Sequence, residues 1–130
     1  ARLREVLAVH VEVEFVQLYK DQPLFADVDG FLRAQGFAFH TMIPFGRTFK
    51  PMVVNNDDLG WIRQILWADA VYVRDFMAFD ELAPDALLKL AAILHENYQS
   101  FDLAAFALEA YDKRTGRGVQ ANYLRRLAAS

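Results

Sequence analysis

The chain has 130 residues, 55% of them hydrophobic, with a formal net charge of -3 and no cysteine. That length fits one domain with a real core, and the composition excludes a disordered chain, a disulfide scaffold, a thiolate metal site and a cysteine nucleophile. No basic tract is present to neutralise phosphates, and charges interrupt every apolar run before membrane-spanning length, so neither nucleic acid nor a membrane is an expected partner.

The lack of cysteine fits a reducing compartment, and a cytoplasmic location is expected. No signal-peptide pattern opens the chain. It runs almost at once into a strand, as expected of a piece of something longer. The 11 Phe point to a Phe-rich core or to apolar surface meant for a partner. Lys113, Arg114, Arg117, Arg125 and Arg126 form the nearest thing to a basic cluster. They read as a solvated helix face with compensation of helix dipoles.

The first predicted element is a strand from Val6 to Val16. Val9, Val11, Val13 and Phe15 alternate with Ala8, His10, Glu12 and Glu14, the period of a strand and not of a helix. A polar connection ending at Pro23 leads into a helix from Leu24 to Gln35, with Phe25, Val28, Phe31 and Leu32 on one face. Asp27 and Asp29 lie near its start, where the dipole favours anions. Gly36 is placed for a left-handed cap. Gly30, inside the helix, costs about 1 kcal/mol and is expected to allow close packing on a sheet.

Phe37 to Ile43 alternates again and reads as a second strand. Strand, short helix and strand make a βαβ unit, which favours parallel strands and a right-handed crossover. Pro44 to Asp58 is turn and loop chemistry with a short strand piece at Phe49 to Val54. Leu66 to Phe76 is the third strong strand, apolar on both sides and therefore expected to be covered on both faces. Three helices follow: Asp85 to Tyr98, after a start signal at Asp80 to Pro84; Phe101 to Tyr111, with Ser100 placed to cap it; and Val119 to Ala129 beyond Gly116 and Gly118.

Glu14 lies at the carboxyl end of the first strand, where ligands bind in open α/β sheets. A carboxylate there accepts a hydrogen bond from a substrate hydroxyl or takes its proton. Asp69 starts the third strand. If that strand is antiparallel to the first, Asp69 comes to the same rim, close to Glu14. Tyr19 and Lys20, in the loop leaving the first strand, reach the same rim or are ordinary loop surface. His10 and Glu12 stand on a polar strand face, about 6.6–7 Å apart along the strand, a poor geometry for a metal. His40 and His95 read as packing or surface residues. No phosphate loop, nucleophile elbow or zinc pattern occurs.

The run VHVEVEFVQLYKDQPLFADVDGFLRAQGF and the later LWADAVYVRDF resemble the carboxyl-terminal half of FkbM-family methyltransferases. The segment LLKLAAILHENYQSFDLAAFALEAYD is similar to the helical tail of some bacterial members. The resemblance covers most of the chain and is weakest over Pro44 to Arg63. It implies a partial Rossmann-like α/β sheet: two parallel strands, a crossover helix and one antiparallel strand. Val6 to Val16, Phe37 to Ile43 and Leu66 to Phe76 match the fifth, sixth and seventh strands of the family, with the seventh between the other two. Residues 1–78 are then the end of the methyltransferase domain, and 79–130 a helical tail packed on it or on a partner.

The family transfers a methyl group from S-adenosylmethionine to an oxygen of a small molecule or sugar. Its Gly-rich cofactor loop and acidic ribose ligand have no counterpart here, so the resemblance implies the substrate-side portion of an enzyme that is inactive alone. No cofactor residue is carried over, and no cofactor is expected to bind this chain alone. Glu14 is the candidate catalytic residue, with Tyr19 and Asp69 as substrate-binding residues. A second expectation is a non-catalytic interaction or dimerisation module, since an open sheet edge invites pairing with another copy. A third is a metal-dependent hydrolase using His10 and Glu12.

Overall fold

A computed structural model describes residues 2–46 and 63–130. The chain divides into two compact units, one built on Val9–Val73 and the other on Arg4–Ala8 with Arg74–Ser130.

In the first unit, the alternating segment forms β1 (Ala8–Glu14), shorter than the apolar pattern by two residues at each end. The helix α1 (Phe25–Ala34) begins after Leu24, whose N–H donates to the Asp27 carboxylate at 2.9 Å. It ends before Gly36, whose φ of 88° is the left-handed cap the sequence predicts. The strands β2 (Phe37–Gly46) and β3 (Trp67–Arg74) complete the sheet. The short strand piece expected at Phe49 to Val54 lies outside the described residues.

Strand order is β1-β3-β2, with the last strand in the middle, as the resemblance implies. The fold is mixed α/β, and the sheet is antiparallel. Two backbone bonds set the register of β1 on β3: Phe15 N–H to Leu66 O at 2.9 Å and Arg74 N–H to Leu7 O at 3.0 Å. Opposed residues therefore run Val9 with Tyr72, Val11 with Ala70, and Glu12 with Asp69. The parallel pairing expected from a βαβ unit is not formed. β3 stands between β1 and β2, so the two strands flanking α1 have no ladder in common.

On β3, Ala70, Val71, Tyr72 and Val73 are successive and all buried. Successive residues point to opposite faces, so both faces are covered, as the apolar pattern requires. On one face α1 packs over the sheet. Phe15 and Phe25 stand 5.4 Å apart, Phe25 and Phe39 6.1 Å, and Phe39 and Tyr72 5.7 Å, the last two edge to face. Leu32 and Phe37 close this layer. Gly30 takes no part: a Cβ there would meet nothing within 4 Å. It lies on the exposed side of α1, so the expected close packing on a sheet is not its role.

The second unit is helical. A 3₁₀ segment, Phe76–Glu81, begins with the Asp75 carboxylate accepting from Met77 N–H at 3.0 Å. The helices are α2 (Pro84–Tyr98), α3 (Phe101–Thr115) and α4 (Val119–Ala129). Pro84 sits in the first turn of α2, where its missing N–H costs nothing. Leu87, Leu90 and Leu94 of α2 bury against α3, whose contact side is Ala104, Ala107, Leu108 and Tyr111. Each buried Leu contributes about 1.5–3 kcal/mol, and the small alanines let the helices approach. Ser100 holds the N-cap position of α3, but its side chain makes no capping hydrogen bond.

Two left-handed glycines, Gly116 and Gly118, turn the chain into α4. The Asp112 carboxylate then accepts from Val119 N–H (2.8 Å) and Gln120 N–H (2.9 Å), satisfying the free amides of the new helix. Arg114, read from sequence as part of a solvated face, donates to the carbonyls of Asp80 and Leu82 at 2.7 and 2.8 Å. It ties the end of α3 to the chain entering α2.

Candidate functional site

The predicted site residues belong to the first unit. Glu14 is the last residue of β1 and is half-buried. Its carboxyl sits above the usual glutamate range, first through burial and then through the hydrogen bond and charge of neighbouring Glu12. Two residues apart on a strand, Glu12 and Glu14 share one face. A carboxyl raised in this way is a stronger base once ionised than an exposed one, which suits proton removal from a hydroxyl.

Asp69 lies one pair inward of the rim. The register sets Trp67, not Asp69, across from Glu14, and Asp69 across from Glu12. The Asp69 carboxylate bonds to His10 Nε2 at 3.1 Å, with side-chain exposures of 35% and 43%. Because the carboxylate can only accept, His10 carries the Nε2 proton in this contact. The structure thus joins His10 to Asp69, a diagonal cross-strand pair, and the same register leaves Glu14 and Asp69 diagonal to each other on that face.

Tyr19 is 64% exposed in the turn after β1. That turn is organised by Gln22, the one buried polar residue of the described core, whose Oε1 accepts from Leu18 N–H at 2.9 Å. Gln22 N–H in turn reaches Tyr19 O at 3.3 Å. Tyr19 and Lys20 both face solvent.

Sequence reasoning missed the polar network on the opposite face of β3. The hydroxyl of fully buried Tyr72 donates to Asp29 Oδ1 at 2.7 Å, and Arg33 Nε donates to Asp29 Oδ2 at 2.8 Å. Burial pushes the Asp29 carboxyl up, but the bonds from Tyr72 and Arg33 outweigh it and hold it below the usual range. The Tyr72 hydroxyl is driven far upward by burial, and further by the Asp29 charge. The i,i+4 spacing of Asp29 and Arg33 was visible in sequence; the long-range partner was not.

No group of three or more His, Asp or Glu side chains is arranged to hold a metal ion among the described residues. No helix among them is long and apolar enough to cross a membrane. Compared with family models, curated proteins and solved structures, the chain matches none of them.

Proposed function

We propose that this chain is the carboxyl-terminal, substrate-side portion of an S-adenosylmethionine-dependent methyltransferase related to the FkbM family, acting on an oxygen of a small molecule or sugar. The observation that carries the reading is the strand order β1-β3-β2, with the last strand inserted antiparallel in the middle. This is the order in which the fifth, seventh and sixth strands of such a Rossmann-like sheet would lie. The sequence phrases that suggest the family fall on these strands and on α1.

In this reading β1 ends at the substrate rim, and Glu14 orients or deprotonates the acceptor hydroxyl while the sulfonium methyl is aligned with it. Tyr19 offers a hydroxyl from the adjacent turn. Asp69, diagonal to Glu14 on the same face, acts together with its partner His10. Calorimetric titration with S-adenosylhomocysteine tests the assignment: the chain alone binds none, and one-to-one binding would overturn it. In a polypeptide that also carries the cofactor half, Glu14→Gln lowers methyl-transfer turnover at least tenfold; unchanged turnover rejects Glu14 as the acting carboxylate.

A second reading, an interaction module, is favoured by one feature. Among the described residues β1 has a single strand neighbour. Beside it runs an apolar hollow of about 330 Å³ lined by Val9, Val11, Val28 and Phe31, with Phe31 57% exposed. An extended segment of a second copy pairing along this edge would bury Phe31. Light scattering distinguishes the readings: a dimer that dissociates on Phe31→Glu supports the module, and a monomer rejects it.

A further inference from the structure

Within the helical unit, α4 is held at its start but stands off at its end. Asp112 and the Gln120 amide, which reaches Ala105 O at 3.3 Å, fix its first turn on α3. Further along, Tyr123 and Leu127 turn inward at i,i+4 spacing, yet no residue of α4 is fully buried. The reason lies on α2. Its side towards α4 is Leu88, Ala91, Ala92 and His95, and the two alanines leave space where larger side chains would fill it. The result is a cavity of about 530 Å³, floored by Leu108 of α3, within the roughly 300–1,000 Å³ of small-molecule sites.

One polar bridge crosses the space: His95 Nδ1 and the Tyr123 hydroxyl are 3.0 Å apart. The His95 ring also packs on Phe101 at 5.2 Å, so its orientation is fixed. At the mouth stands Arg126, the only charged side chain in the lining. No carboxylate side chain pairs with it among the described residues. The cavity is therefore mostly apolar, has Arg126 as its one charged side chain, with Ser130 beside it at the end of α4, and offers an imidazole–phenol pair on its wall.

We propose that this cavity is a binding site for a small amphipathic carboxylate, a compact aliphatic or aromatic body carrying one anionic head. The body fills the gap left by Ala91 and Ala92 and covers Tyr123 and Leu127. The head pairs with the Arg126 guanidinium, whose planar fork suits a carboxylate. Charge complementarity selects the anion, because an alcohol of the same length gains the apolar contact alone.

An NMR titration of the whole chain with octanoate, following the ring signals of His95 and Tyr123, tests this. Octanoate shifts both signals saturably, and octanol binds about tenfold more weakly, the worth of one charge-assisted contact. Arg126→Gln weakens octanoate by the same factor and leaves octanol within about twofold. Ala92→Phe, at an exposed position that the fold tolerates, abolishes both by filling the cavity. The proposal is overturned if octanoate leaves the two rings unmoved, if octanol binds as tightly, or if Arg126→Gln changes nothing.

Discussion

The two faces of β3 carry pairs of the same kind. On one, Asp29 of α1 accepts from Tyr72; on the other, Asp69 itself bonds to His10 of β1. Both join a carboxylate to a ring across the fold, and both are close to 3 Å. They differ in surroundings. Tyr72 has no exposed surface, whereas His10 and Asp69 each keep a third or more of theirs. Burial makes an unmade bond expensive, and water makes an exposed one replaceable. The first pair is thus a structural joint between α1 and the sheet. The second remains available for chemistry, because little stability depends on it.

The largest expected effect is Asp29→Ala. It strands a buried hydroxyl and removes the acceptor of Arg33, and urea unfolding should show a loss of about 1–3 kcal/mol. Tyr72→Phe removes the donor as well as the bond and should cost nearer 1 kcal/mol. Equal losses would mean that packing, not the stranded hydroxyl, sets the cost.

The next effect is one of sign. Asp29 is held below its ordinary value, so it stabilises the fold above that value, and this contribution is lost as pH falls through the lower folded one. Glu14 is raised, so the folded state holds its proton longer than the unfolded chain does. Stability from Glu14 is complete below about 4.5 and is lost as pH rises through its folded value. Melting curves across pH 2.5–7 (roughly the carboxylate range) should therefore respond oppositely. Asp29→Asn flattens the acid side, while Glu14→Gln removes a penalty on the neutral side and raises Tm there.

Gly30→Ala probes the outer side of the same covering helix. It should stabilise by about 0.5–1 kcal/mol, since nothing stands in the way of the new methyl group. The smallest effect belongs to His10→Ala, within about 0.5 kcal/mol after screening of an exposed pair. A loss of several times that would erase the distinction between the two faces.

Much of this architecture was legible in the sequence, for local reasons. Period-two runs marked all three strands, Gly36 and the paired Gly116 and Gly118 marked turns, and α4 falls on the predicted residues. The failures are long-range. Parallel strands follow naturally from strand–helix–strand order, but the sheet is antiparallel, and the middle place of the last strand came from the resemblance and not from the local pattern. That Asp69 bonds to His10 is a matter of register, which the local pattern does not set. Tyr72 and Asp29 are 43 positions apart, and neither residue alone signals the other. The 3₁₀ segment at Phe76–Glu81 is too short to show a period.

Placing the last strand in the middle also sets the order of events in folding. β1 and β2 leave the ribosome before β3 exists, and each lacks its only described strand partner until then. The pairing of β1 with β3 closes a loop of some fifty residues, a slow step compared with the neighbouring contact of α2 with α3. In that interval Val9, Val11, Val13 and Phe39 are carried on unpaired backbone, where an extended stretch of any passing chain is a competitor. The nascent chain is most exposed to misassociation just before Trp67–Arg74 emerges, and slowing synthesis upstream of that segment should lower the yield of correctly folded protein.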